Sequence, residues 1–203
     1  MKRLIINGLG LLLILYSLGQ DVRMFWTAGS PFSTIMVMPF FLLDALQGSM
    51  LLLAKTPRIQ GKQTVVPLLA AFLPLFSPLV LHRSAVSFPT VGVLFMVASV
   101  FLGLWGIMTL RTCFSILPEG RHLVQEGPYR YIRHPLYASY GLSYLGNLFF
   151  YPQSSYALFL LMAYGFQIWR AHMEDAVLAQ LGEEVRIYQA QTGMLWPTFR
   201  RRR

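Results

Sequence analysis

Gly120–Tyr137, GRHLVQEGPYRYIRHPLY, is the longest polar stretch in a chain that is otherwise made of apolar blocks. It holds three arginines, two of the chain's four histidines and three tyrosines, and the proline turns Gly127-Pro128 and His134-Pro135 interrupt it. When one segment of a membrane protein gathers the ionisable groups, that segment marks the functional region. The stretch therefore predicts two parts: transmembrane helices in residues 1–110 and a catalytic region in residues 111–203.

The composition indicates that much of the protein lies in a membrane. Of the 203 residues, 55% are hydrophobic and only 12% are charged, whereas a soluble domain carries about 25% charged residues. Much of the surface must therefore face lipid. The single cysteine, Cys113, excludes an internal disulfide and a cysteine-based metal cluster.

Apolar segments of about the length that a membrane-spanning helix needs, roughly 17–25 residues, occur six times. They are Leu4–Gly19, Pro31–Ala54, Thr64–Leu81, Phe88–Leu110, Leu136–Tyr151 and Ser155–Trp169. The sequence predicts an all-α fold, a polytopic integral membrane bundle of about six transmembrane helices. The break at 151–154 predicts that the last two form a C-terminal helical hairpin, and residues 170–193 are expected to form an amphipathic helix. Five crossings with one re-entrant helix is the alternative count.

The positive charges give the orientation. With six spans, 15 of the 17 Lys and Arg residues fall on the side of the N-terminus, and only Arg23 and Arg83 fall on the other. Because cytoplasmic loops carry the excess of Lys and Arg, both termini are expected in the cytosol. The chain is predicted to be a multi-pass protein of the inner (cytoplasmic) membrane, with its site on the cytosolic face.

The polar groups of that face favour a small anionic or zwitterionic ligand. Pro135 falls at the first position of the fifth helix, where its missing N–H costs nothing, and a helix N-terminus attracts anions. Arg130 and Arg133 add positive charge there. Arg170 and Glu174 are four residues apart and share a helix face, which leaves Glu174 available for a cationic group. No GxGxxG after a strand, P-loop, HExxH or GxSxG motif is found, and neither a metal nor a nucleic acid is expected as a partner.

The run Gly127–Tyr137, GPYRYIRHPLY, resembles the signature of the integral-membrane methyltransferases, namely the isoprenylcysteine carboxyl methyltransferase family and the related phospholipid N-methyltransferases. The resemblance continues upstream through Arg121–Val124. Downstream it includes Arg170, Glu174-Asp175 and Gly182-Glu183-Glu184, so that it covers about the last hundred residues.

The resemblance implies S-adenosylmethionine as the methyl donor, bound at the cytosolic ends of the last helices. The positions that match cofactor-binding residues of the family are Arg121, His122, Leu123, Val124, Tyr129, His134, Pro135, Leu136, Tyr137 and Glu174. Arg170 matches the position that faces the methyl acceptor, so Arg170 and Glu174 are the predicted catalytic residues and Arg170 is the predicted substrate-binding residue. No metal is implied.

The predicted function is methyl transfer to a lipophilic acceptor that enters from the bilayer, with O-methylation of a carboxylate as the first choice. A phospholipid, a small amine or a small thiol is the alternative acceptor. A small transporter or a lipid-binding membrane protein is the non-enzymatic alternative. Asp44 lies inside the second predicted span, where a carboxylate usually has a partner and a function; a structural role, through a bond to Gln47, Ser49 or a neighbouring helix, is the preferred alternative.

Overall fold

The computed structural model describes residues 88–113, 119–120 and 123–198, together with residues 59–60 and the single positions 12, 15, 16, 19 and 73. Apart from those single positions, the first three predicted spans lie outside the described residues, and so does Asp44. The predicted number of crossings therefore stays a prediction.

The described part of the chain is built mainly of helices, which confirms the all-α fold class. They are α1 (Pro89–Leu110), α2 (Pro135–Phe150), α3 (Ser154–Leu178) and α4 (Glu183–Gln191), with 3₁₀ turns at Arg111–Cys113, Gly127–Arg130 and Ala179–Leu181. Two short strands, β1 (Ile59–Gln60) and β2 (Glu119–Gly120), pair in antiparallel fashion. This pairing joins two segments that the charge distribution assigns to the same side of the membrane, and α3 contacts both strands.

Helix α1 matches the predicted fourth span to within one residue. Among the described residues it is the one helix that is long and apolar enough to cross a membrane. It begins with Pro89 at its first position, as helix starts favour. Its outward face carries the exposed side chains of Leu94, Val97, Phe101 and Met108, and an apolar stripe of this kind suits contact with lipid.

The predicted hairpin is present, because α2 ends at Phe150 and α3 begins at Ser154. Helix α3 has 25 residues, which corresponds to about 38 Å and exceeds the roughly 30 Å of a hydrocarbon core. Its last turns, which carry Arg170 and Glu174, therefore continue beyond the apolar run that precedes them.

The prediction of one helix over residues 170–193 was wrong in its boundaries. Residues 170–178 continue α3, and a break at Gly182 separates them from α4. Gly182 has φ +138°, a backbone conformation that glycine adopts readily and other residues rarely adopt. The break lets α4 fold back towards the polar stretch.

Helices α1 and α2 are antiparallel and pack closely through small residues. A Cβ placed on Gly146 would lie 3.0 Å from the carbonyl oxygen of Gly92, and one placed on Gly92 would lie 3.0 Å from the ring of Phe150. At the other end, a Cβ on Gly106 would lie 3.2 Å from Leu136. Small residues let helix backbones approach in this way, which is typical of helix pairs in membranes.

A hydrogen bond supplements this packing at the middle of the pair. The buried Ser99 hydroxyl donates to the carbonyl oxygen of Ser139 over 2.7 Å, and Ser139 in turn donates its own hydroxyl to the carbonyl oxygen of Leu136. The two serines fix the start of α2 against α1. The position of His134-Pro135, where α2 begins, follows from this contact.

Candidate active site

The structure gathers most of the predicted site residues at one place, where α2 begins and α3 nears its end. Tyr129, His134, Pro135, Leu136, Tyr137 and Arg170 are buried, and Leu123, Val124 and Glu174 are half-buried. Arg121 and His122 lie outside the described residues, so their predicted role is untested.

Glu174 lies at the centre of this cluster. Its Oε1 accepts a hydrogen bond from the Tyr137 hydroxyl over 2.6 Å and another from Arg170 Nε over 3.3 Å. Its Oε2 lies 3.8 Å from Nδ1 of His134, which is too long for a hydrogen bond. The helical spacing of Arg170 and Glu174 predicted this pairing, and the structure confirms it.

Arg170 and Tyr137 are also in direct contact. The guanidinium carbon lies 5.5 Å from the centre of the Tyr137 ring, a cation–π distance. Burial alone would lower the pKa of Arg170, but the nearby Tyr137, Glu174 and Tyr140 groups together raise it. The cluster therefore keeps a positive charge and a carboxylate side by side at the edge of the apolar part of the protein.

His134 makes its short contact with a carboxylate that the sequence analysis did not assign to the site. Its Nε2 lies 2.9 Å from Oδ1 of Asp175, while Nδ1 is turned towards Glu174. The other carboxylate oxygen of Asp175, Oδ2, accepts from Arg133 at 3.1 Å. Burial would raise the pKa of Asp175, but the hydrogen bonds and charges of His134 and Arg133 outweigh it and lower that pKa. Asp175 is therefore ionised at neutral pH.

Arg133 does not add its charge to an open anion site, contrary to the expectation from the sequence. Its guanidinium contacts Asp175 and donates to the backbone carbonyl oxygens of Gln189 and Thr192. Gln189 completes the connection by donating its side-chain amide to the Asp175 carbonyl oxygen over 2.8 Å. Arg133 thus holds α4 and the residues after it against the polar stretch.

The C-terminal segment also contacts the backbone of the polar stretch. The N–H groups of Arg133 and His134 donate to the carbonyl oxygens of Gly193 and Met194, at 2.8 and 3.0 Å, next to a parallel bridge between Ile132 and Gly193. No pattern in the sequence predicted these backbone contacts, because the residues that they join are about sixty positions apart in the chain.

The 3₁₀ turn Gly127–Arg130 is seated on the end of α1. Gly127 has φ +53°, and a Cβ on it would lie 2.6 Å from Oγ1 of Thr109, so both its conformation and its surroundings require glycine. Tyr129 is buried within the turn, and its carbonyl oxygen accepts from the Tyr188 hydroxyl over 2.6 Å. Burial, with a further contribution from the Glu174 charge, raises the pKa of Tyr129, so its phenol keeps its proton.

The first turn of α2 presents its backbone to the site. Pro135 has no N–H, and no side chain among the described residues caps the helix. The N–H groups of Leu136 and Tyr137 fall in the first turn, where a helix provides no acceptor of its own. The side chains of Pro135 and Leu136 pack against Gly106 of α1.

Arg130 and Tyr131 of the polar stretch face outwards, and so does Trp169 of α3. Arg130 is exposed, and Tyr131 and Trp169 are each 54% exposed. Exposed aromatic side chains of this kind suit the membrane–water interface.

Residues 91–180 match the model of the isoprenylcysteine carboxyl methyltransferase (ICMT) family. The matched range begins in α1, ends in the 3₁₀ turn after α3, and contains the whole Glu174 cluster. No curated protein matches the chain. This match supports membership of the isoprenylcysteine carboxyl methyltransferase superfamily, whose members are membrane-associated methyltransferases.

Proposed function

We propose that the protein is a membrane-embedded, S-adenosylmethionine-dependent methyltransferase that transfers a methyl group to a carboxylate of a lipophilic acceptor. The site would lie on the cytosolic face of a multi-pass inner-membrane protein, as the charge distribution predicts. The observation that carries the proposal is the Glu174 cluster, in which Tyr137, Arg170 and His134 converge on one carboxylate inside the segment that matches the family.

The groups of the cluster suit the chemistry of the cofactor. The cofactor's carboxylate fits the uncapped first turn of α2, where the backbone N–H groups of Leu136 and Tyr137 and the positive end of the helix favour an anion. The Glu174 carboxylate is suited to its ammonium or ribose hydroxyl groups, which are hydrogen-bond donors. The rings of Tyr129 and Tyr137 are suited to its sulfonium, with a stabilisation of about 0.5–2 kcal/mol per favourable cation–π contact.

The bound cofactor supplies an electrophilic methyl group, and the task of the protein is to align the acceptor and exclude water. Much of the rate of such a reaction can come from holding two reactants in register in a dry site. Burial of Tyr129, His134 and Tyr137 gives the site walls that keep water out.

Arg170 is the proposed acceptor-orienting residue. It is buried, and it lies in α3 directly after the apolar run of that helix. A guanidinium binds a carboxylate with two parallel hydrogen bonds, and a carboxylate acceptor needs no base because it is already the nucleophile. An amine acceptor would have to lose a proton, and Glu174 or His134 would then have to receive it.

The test is calorimetric titration of S-adenosylmethionine into the detergent-purified protein, with Glu174→Ala and Arg170→Ala beside the unchanged chain. The unchanged protein should bind the cofactor, and Glu174→Ala should weaken binding by about a hundredfold or more, since it removes a charged partner from a buried cluster. Arg170→Ala should bind the cofactor nearly as well and lose turnover.

A folded protein that does not bind S-adenosylmethionine would overturn the enzyme assignment and leave a transporter or a lipid-binding protein. Loss of cofactor binding in Arg170→Ala, with turnover per bound cofactor unchanged, would reverse the roles given to Arg170 and Glu174. Labelled methyl transfer into a lipid and small-molecule extract would identify the acceptor, and a labelled amine or thiol product would replace the carboxylate.

A further inference from the structure

We infer that Asp175 is a positioning residue, which sets the orientation and the proton of the His134 ring so that Nδ1 is directed at the cofactor site. The inference deepens the proposed function and rests on it. The residue that it adds, Asp175, follows the predicted catalytic Glu174 directly, but it points to a different partner.

The geometry separates the two neighbouring carboxylates. Glu174 receives the Tyr137 hydroxyl and Arg170, whereas Asp175 receives His134 Nε2 at 2.9 Å and the Arg133 guanidinium at 3.0 and 3.1 Å. Adjacent residues on a helix point about 100° apart, so one carboxylate can face the site while the next supports it from behind. Asp175 lies 17% exposed and His134 lies 6% exposed, so water has little access to their contact.

The chemistry of this contact defines what Asp175 does to the ring. An ionised carboxylate only accepts hydrogen bonds, so the nitrogen that faces it, Nε2, carries a proton. The imidazole plane is then fixed with Nδ1 on the side of Glu174, at 3.8 Å from Oε2. A carboxylate that fixes the orientation of a histidine in this way is a recurrent arrangement in enzyme sites.

Asp175 is itself held in place by Arg133 and Gln189. Arg133 contacts its Oδ2 and two carbonyl oxygens near α4, and Gln189 of α4 donates to its backbone carbonyl oxygen. The contacts that fix Asp175 therefore involve Gln189 of α4, and α4 lies outside the range 91–180 that matches the family. The C-terminal part of the chain is tied to the site through this residue.

Two substitutions of Asp175 distinguish the role of its hydrogen-bond-accepting oxygen from the role of its side-chain volume. Asp175→Asn keeps an oxygen that can accept from Nε2–H, and Asp175→Leu removes the acceptor while filling a similar space. We expect Asp175→Asn to bind S-adenosylmethionine within about threefold of the unchanged protein. Asp175→Leu should bind about tenfold more weakly, the size expected for a lost hydrogen bond to a charged group.

Arg133→Gln is the matched control, because it breaks the ion pair with Asp175 and leaves the contact between Asp175 and His134. Thermal unfolding of all variants in the same detergent gives their stability. If Asp175 served stability alone, Asp175→Leu and Arg133→Gln would lower the unfolding midpoint together and both would keep the cofactor affinity, and that result would overturn the inference.

A spectroscopic readout makes the test independent of cofactor binding. In protein labelled with ¹⁵N-histidine, ring nitrogen shifts report which nitrogen carries the proton, and His134→Gln assigns the signal of His134. We expect protonated Nε2 in the unchanged protein and in Asp175→Asn, and a loss of that preference in Asp175→Leu.

An Nε2 without a proton in the unchanged protein overturns the inference, even if Asp175→Leu does not fold. A ring signal that is the same in Asp175→Leu as in the unchanged protein overturns it as well. If the unchanged protein binds no cofactor, the proposed function fails, and the ring shifts still decide whether Asp175 sets the state of His134.

Discussion

The interface between α1 and α2 and the interface between α2 and α3 share one helix but are held by different forces. On the α1 side, glycines at positions 92, 106 and 146 allow close approach, and the hydrogen bond between Ser99 and Ser139 crosses the pair. On the α3 side, near the start of α2, the contacts are made by Tyr137, Arg170 and Glu174.

The difference assigns separate tasks to the two faces of α2. The glycine and serine contacts of the interface between α1 and α2 involve no titratable group. They fix where α2 begins and therefore the direction of its first turn. The polar contacts on the other face are adjustable and can exchange partners with a ligand. We expect substitutions in the first interface to act on stability and substitutions in the second to act on binding and turnover.

The largest expected effect on stability comes from filling the closest approach of α1 and α2. Gly146→Val places a side chain 3.0 Å from the Gly92 carbonyl oxygen and 3.2 Å from Met96. Overpacking of this kind costs about 1–3 kcal/mol, which should lower the thermal unfolding midpoint in detergent by roughly 3–10 °C. The cofactor affinity of the protein that remains folded should change less than about twofold.

Gly165→Val is the control for this substitution. Gly165 also lies within a helix, α3, but a Cβ there would meet none of the described residues within 4 Å, so the midpoint should stay the same or rise slightly. Equal losses at both positions would show that the close contact between α1 and α2 is not what makes Gly146 necessary.

A smaller effect, confined to binding and turnover, is expected from Tyr137→Phe. The change removes the 2.6 Å hydrogen bond to Glu174 and keeps the ring that lies against Arg170. Cofactor affinity should fall by about tenfold, as expected when a carboxylate loses a hydrogen bond, while the unfolding midpoint stays nearly constant. Tyr131→Phe, at a side chain that is 54% exposed, should leave both quantities unchanged. A Tyr137→Phe protein that binds as well as the unchanged one would contradict the division between the two faces of α2.

The smallest effect is expected from Ser99→Ala, which removes the hydrogen bond between α1 and α2. Hydrogen bonds between membrane helices contribute about 0.6 kcal/mol on average, so the unfolding midpoint should fall by about 2 °C without a change in cofactor affinity. Ser143→Ala provides the comparison, because Ser143 reaches across the same interface to the sulfur of Met96 at 3.9 Å, and sulfur is a weak acceptor. If Ser99→Ala impairs binding more than stability, the α1 interface contributes directly to the site.

Within the described part of the chain, the ends of the apolar helices could be predicted from the sequence. The apolar run that begins at Phe88 and the proline at 135 gave the ends of α1 and the start of α2 to within a residue, because hydropathy and missing N–H groups act locally. The pairing of Arg170 with Glu174 was equally local, since four residues along a helix bring side chains to the same face. The break at Gly182 was missed, because a single glycine within a helical pattern does not by itself end a helix.

What the sequence by itself determined was the class of protein and the segment that holds the site, because composition, charge distribution and motif need no knowledge of contacts. Only the tertiary structure decided the partners within the site. Asp175 rather than Glu174 makes the short contact with His134, and Arg133 is used to hold α4 rather than to attract an anion. These pairings join residues that are 41 to 59 positions apart in the sequence. Residues so far apart along the chain come into contact only when α2, α3 and α4 have packed together.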